Sequence, residues 1–174
     1  MTPVVDAARF RTVLSHFASG VVVVTSVEAD GTPVGMTCQS FTSLSLDPPL
    51  VMVSPAKSSR TWPRIRATGH FAVNVLGAHQ RDVSAVFGRS GADKFAGQDF
   101  TAGVTGAPLL TGSIAQIECA LETVHDAGDH EIVVGRVLAL DAPGVDRPLA
   151  ADADDLAPLV YYRSGYWTRD AMGT

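Results

Sequence analysis

The chain has 174 residues, 46% of them hydrophobic and 18% charged, with 16 glycines, 10 prolines and a formal net charge of −5. That length suits one domain, and that composition suits a turn-rich globular fold rather than a disordered chain. The negative balance argues against broad electrostatic attraction to nucleic acid or anionic lipid, so an anionic ligand must be held by local donors.

Phe10, Val13, Leu14 and Phe17 fall at i, i+3, i+4 and i+7, which predicts an amphipathic helix over residues 6–19, with Asp6 as N-cap and Gly20 as its stop. Val21, Val22, Val23 and Val24 follow at once. Four β-branched residues in a row disfavour helix and suit a strand buried on both faces. Asp30-Gly31 marks a tight turn into a second strand near Val34. Beyond Pro48-Pro49, the run Leu50, Val51, Met52, Val53 reads as a short core strand, 59–67 as a short helix, 71–76 as an alternating strand and 79–87 as another helix. Gly88, Gly91, Gly97, Gly103, Gly106 and Gly112 make 88–112 a long irregular loop.

Ala115, Ile117, Cys119 and Leu121 alternate with Gln116, Glu118, Ala120 and Glu122, the pattern of a half-exposed strand. A turn at Ala127, Gly128 and Asp129 leads to a hairpin partner over 132–138. Residues 141–157 read as a solvated loop, and Leu159, Val160, Tyr161 and Tyr162 as a final strand. Some six strands joined mainly by turns, with too few helices to cover both faces of a parallel sheet, argue for an antiparallel barrel over about 20–167 in a single domain.

Cys38 and Cys119 form no CxxC pair and the histidines do not stand at metal-ligand spacing. A disulfide framework is therefore not expected, and a reducing cytoplasm is the simplest setting. Asp6 stands where a secretory leader needs a basic region, and no apolar run is long enough to span a bilayer. GxGxxG, Walker and GxSxG patterns are all missing, so a nicotinamide enzyme with this sequence is not a Rossmann protein.

Several constellations could carry chemistry. Thr37, Cys38, Gln39, Ser40, Phe41, Thr42 and Ser43 crowd small polar groups where a flat, hydrogen-bonding ligand could lie; an exposed Ser/Thr-rich edge strand reads the same way. Ser58, Ser59, Arg60 and Thr61 open a short helix, as an anion site or as ordinary capping chemistry. Gly128-Asp129-His130 is turn chemistry that could also bring a histidine to a ligand. Phe87, Arg89, Lys94 and Phe95 could cover a ring or phosphates, or simply plug the space beneath a loop. Tyr161, Tyr162, Tyr166 and Trp167 cluster as a core edge, a dimer contact or a stacking surface.

In this order and spacing the segments resemble the flavin reductase family, the small components of two-component flavin-dependent monooxygenases. The likeness takes in Phe10-Arg11, 17–21, 33–41, 43–51, 57–62, 71–76, Lys94-Phe95-Ala96-Gly97, Gly128-Asp129-His130 and 158–163. It implies a mainly β fold, an FMN-binding split β-barrel of antiparallel, Greek-key-like build with a few short flanking helices. It also implies a homodimer with flavin near the interface, FMN or FAD reduced by NADH or NADPH, and a monooxygenase that receives the reduced flavin. Carried over residue by residue, Thr37, Cys38, Gln39, Ser40, Phe41, Ser43 and Leu44 would cradle the isoalloxazine and ribityl chain. Ser58, Ser59 and Arg60 would hold phosphate, with Phe87 and Arg89 closing the site. His130, with Tyr161 or Tyr162 nearby, would lie on the nicotinamide side. No catalytic acid or base is required, because hydride transfer is chemistry of the cofactors. Two alternatives keep the scaffold: an FMN oxidase of the pyridoxamine phosphate oxidase type and a non-catalytic flavin-binding module.

Overall fold

Val21, Val22, Val23 and Val24 organise the molecule, because alternate side chains of a strand point to opposite faces. In the computed structural model, which describes residues 5–91, 93–142 and 156–167, Val22 and Val24 join Val34, Met36, Val51, Val53, Phe71 and Val133 in one apolar cluster. Val21 and Val23 join Leu76, Phe87, Leu110 and Leu159 in a second. All four valines are buried, as a strand covered on both faces requires.

This strand, β2 (Val22–Val27), follows a two-residue β1 (Ser19–Gly20). After it come β3 (Pro33–Cys38), β4 (Thr42–Leu46), β5 (Pro49–Val53) and β6 (His70–Val75). The long hairpin β9 (Ala115–Ala127) and β10 (His130–Asp141) completes a seven-stranded sheet in the order β3-β2-β6-β9-β10-β5-β4. Every pairing in it is antiparallel. β3 and β5 stand five places apart in that order, yet Met36 and Cys38 share a cluster with Val51 and Val53. The sheet therefore rolls around this core. Ser40 stitches the seam: Oγ accepts the Ser54 N–H at 2.7 Å and donates to the Ser54 carbonyl at 3.0 Å. Among the described residues β3 and β4 do not pair, so the barrel is split between them. Helix α2 (Trp62–Thr68) adds Trp62 and Ile65 to the interior. Helix α3 (Arg81–Gly88) lays Phe87 on the outer face of β2 and β3.

The elements depart from the sequence pattern in four places. Helix α1 (Ala7–Leu14) is shorter than 6–19. Asp6 does cap it, accepting the Ala8 and Arg9 N–H groups, but Gly20 is not its stop. Ser19 and Gly20 pair with Tyr161 and Val160 instead, and strand pairing takes residues the periodicity had offered to the helix. No residue of α1 is buried, so its apolar stripe does not face this chain's core. The 88–112 segment is not wholly irregular: β7 (Phe100–Ala102) and β8 (Pro108–Leu110) form a small hairpin. That hairpin covers Glu118, which was expected on an exposed face and is only 4% exposed. Its carboxylate accepts hydrogen bonds from the Val104 N–H (3.0 Å), the Thr105 N–H (2.8 Å) and the Thr105 hydroxyl (2.7 Å). The closing strand is itself a hairpin, β11 (Val160–Tyr162) and β12 (Gly165–Trp167), paired to β1. Most of the 141–157 loop lies outside the described residues.

Candidate functional site

A cleft of about 1280 Å³ opens beside the seam of the barrel. Its walls are β3 with residues 39–40, the 54–61 segment, the end of α3 with the loop after it, and His130. On the first wall, Gly35 lets α3 approach: a β-carbon there would meet the Phe87 ring at 2.7 Å. The Thr37 hydroxyl donates to the Ser84 carbonyl at 2.7 Å and ties β3 to the helix. Lys94 crosses between the same elements, its Nζ donating to the Gly35 and Phe87 carbonyls at 3.0 Å each. Burial, with Arg64 nearby, holds the Lys94 ammonium below the usual lysine range. Two of its three donors are taken, and the group still lines the cleft.

A second wall is the 54–61 segment. The Ser59 hydroxyl accepts the Trp62 N–H at 3.1 Å and donates to Met36 Sδ at 3.6 Å, so it serves the wall itself. Ser58 and Arg60 are exposed. The segment runs alongside the start of β10: Ala56 bridges to His130, and the Lys57 N–H donates to the Asp129 carbonyl at 2.9 Å. Gly128, with φ of 73°, makes the two-residue turn that places His130 there. His130 Nδ1 lies 2.7 Å from Asp129 Oδ1. That hydrogen bond, reinforced by the histidine's charge, holds the Asp129 carboxyl below its usual value.

The charges around the cleft run against the chain's net charge of −5. Arg60, Arg64, Arg89, Lys94 and His130 line it, with Asp93 the carboxylate among them. Glu28 engages Arg64 through both carboxylate oxygens. Among the described residues Arg60 and Arg89 have no ion-pair partner. Arg60 and Arg89 thus bring positive charge to the cleft of an acidic chain.

Of the residues singled out from sequence, Thr37, Cys38, Gln39, Ser40, Ser58, Ser59, Arg60, Thr61, Phe87, Arg89, Lys94, Phe95 and His130 meet in this cleft. Phe41 packs against the barrel core instead, and Ser43 and Leu44 are exposed on β4. Tyr161 and Tyr162 are on the small β1-β11-β12 sheet, away from the cleft lining. Tyr161 meets Tyr166 edge-on at 5.5 Å, and Tyr162 meets His16 and Trp167 at 6.2 Å. Gly35, Met36 and Arg64 line the cleft without having been singled out. A glycine inside a strand signalled the first; nothing in the local pattern signalled the other two.

Residues 14–168 match the family described as flavin reductase like domain. The chain belongs to that family. Over 145 residues it is 51% identical to the flavin-dependent monooxygenase reductase subunit HsaB of Rhodococcus jostii, covering 83% of this chain and 74% of that protein. HsaB of Mycobacterium tuberculosis is 45% identical over 166 residues, 95% of this chain and 84% of that one. Among solved structures, nitrilotriacetate monooxygenase component B from Mycobacterium thermoresistibile superposes with a TM-score of 0.84 at 43% identity, covering 96% of this chain and 89% of that one. The NADH:FAD oxidoreductase SgcE6 of Streptomyces globisporus, solved with NAD and FAD fragments, gives 0.82 at 32% identity, over 98% and 99% of the two chains. The split barrel expected from the sequence is thus the fold of this flavin reductase-like chain.

Proposed function

We propose that the chain is a single-domain NAD(P)H:flavin oxidoreductase that supplies reduced FMN or FAD to a partner monooxygenase. The observation that carries this reading is one cleft holding a wall on β3, two arginines without carboxylate partners among the described residues, and His130, within an acidic chain. Its volume of about 1280 Å³ exceeds the roughly 300–1,000 Å³ of ordinary ligand pockets, as two stacked cofactors would need. A flavin held here would supply the hydride-accepting chemistry, taking a hydride from NAD(P)H and one proton from solvent to give NAD(P)+ and dihydroflavin.

The chain's own residues do the binding and orienting. Thr37, Cys38 and Ser40 keep the wall flat, their polar groups turned to Ser84, to each other and to Ser54. Exposed Gln39 offers its side-chain amide to the edge of a ring. Ser58 and Arg60 hold the phosphate of the flavin, and Arg89 approaches from the other wall. His130, oriented by Asp129 at Nδ1, presents Nε2 to the nicotinamide side. Mixing the purified protein with NADH or NADPH and with FMN or FAD should accelerate nicotinamide oxidation. Failure of all four combinations would overturn the reading.

The same proposal includes a homodimer. Phe10, Val13, Leu14 and Phe17 are between 54% and 81% exposed on or just beyond α1, and a second copy covering this stripe accounts for them. Light scattering should give twice the chain mass for wild type and a monomer for Phe10→Glu/Phe17→Glu; a wild-type monomer refutes it. The unpaired, buried thiols of Cys38 and Cys119 support a reducing, cytoplasmic setting.

A further inference from the structure

We infer that Glu131 is a positioning residue that fixes the anion-holding 54–62 segment to His130, so that the two halves of the cleft keep one spacing. The inference rests on the proposed roles of Arg60 and His130. It starts from alternation: His130 lines the cleft, so the next residue of β10 points to the other side. Glu131 places its carboxylate there, 18% exposed, between the barrel and α2. Oε2 accepts the Trp62 indole N–H at 2.5 Å and Oε1 accepts from Arg66 Nη1 at 2.9 Å.

The main chain of the same residue grips the other end of the segment. Its N–H donates to the Pro55 carbonyl at 3.0 Å, and its carbonyl accepts from Ser54 Oγ at 2.9 Å. Trp62 carries the hold onward, since its backbone N–H donates to Ser59 Oγ at 3.1 Å. Ser58 and Arg60 lie between these anchors, are exposed, and make no hydrogen bond of their own among the described residues. Between the ends, Lys57 is tied to the β9–β10 turn by its N–H to the Asp129 carbonyl and by Nζ to Asp126, and Glu131 holds both ends of the segment. Without the carboxylate, the indole N–H of a side chain in the apolar core loses its acceptor and Arg66 loses its partner.

Glu131→Gln keeps an acceptor for the indole; Glu131→Ala removes it. In Glu131→Ala, amide exchange across 54–62 of the ligand-free protein should rise about tenfold while the β7–β8 hairpin is unchanged. The dissociation constant for FMN and the KM for the nicotinamide should each rise about tenfold, and Glu131→Gln should restore all three to within about threefold of wild type. A folded Glu131→Ala protein with unchanged exchange across 54–62 overturns the inference, as does a Glu131→Gln variant as impaired as Glu131→Ala. Wild-type protein that binds FMN and riboflavin equally would instead remove the phosphate reading of Ser58 and Arg60. The role of Glu131 would then be decided by the exchange and the nicotinamide KM.

Discussion

Gly35 and Phe87 meet so closely that the strand residue has no room for a side chain: a β-carbon on Gly35 would stand 2.7 Å from Cε1 and 2.9 Å from Cδ1 of the ring. Phe87 is buried beneath the cleft, and its carbonyl is one of two that hold Lys94. Gly35→Ala therefore forces α3 and the following loop outward together. It should destabilise the fold by about 1–3 kcal/mol in urea titration and weaken flavin binding in the same protein. An alanine variant of wild-type stability would mean that the ring moves freely.

Arg60 makes no ion pair among the described residues, so removing its charge strands no partner. Arg60→Ala should leave the unfolding midpoint within about 0.5 kcal/mol of wild type. It should weaken FMN about tenfold and spare riboflavin, as the loss of one charge-assisted bond to phosphate predicts. Equal losses for FMN and riboflavin in a fluorescence titration would assign Arg60 elsewhere.

His130 separates the two ligands on one axis. His130→Ala should raise the KM for the nicotinamide about five- to tenfold and that for flavin less, in steady-state rates with each varied in turn. The opposite order would put the histidine on the flavin side. Asp129→Asn should show a weaker form of the same pattern, because Asp129 orients the ring without lining the cleft.

Cys119 gives a pH signature. Burial, with the Glu118 charge beside it, pushes its thiol from an ordinary value near 9.0 up to about 12. The folded value lies above the unfolded one, so the contribution is whole below pH 9 and is lost as pH rises toward 12. Stability should fall by at most about 1.4 kcal/mol per pH unit across that window. Urea midpoints between pH 8 and 10.5 should fall less steeply for Cys119→Ala than for wild type. Iodoacetamide at pH 8 should leave Cys119 unmodified until the protein is unfolded.

Local pattern alone carried much of this molecule. Four successive valines announced a strand buried on both faces, Asp6 announced a cap, and Gly128-Asp129 announced the hairpin ahead of His130, because each depends on residues within a few positions of one another. The ordered segments from Phe10 to Arg163 also sufficed for the family, and so for the split barrel. Tertiary structure alone decided the rest. Glu118 is buried because the β7–β8 hairpin, 8 to 18 residues upstream, closes over it, and Gly20 belongs to a strand because a partner some 140 residues later pairs with it. The cleft was chosen the same way. Met36 and Arg64 face it, while Ser43, Leu44, Tyr161 and Tyr162 do not, and which side a residue takes depends on how a seven-stranded sheet rolls and where α3 lands on it. Periodicity tells a residue which face of its own element it occupies; only the packing of distant elements tells it what that face meets.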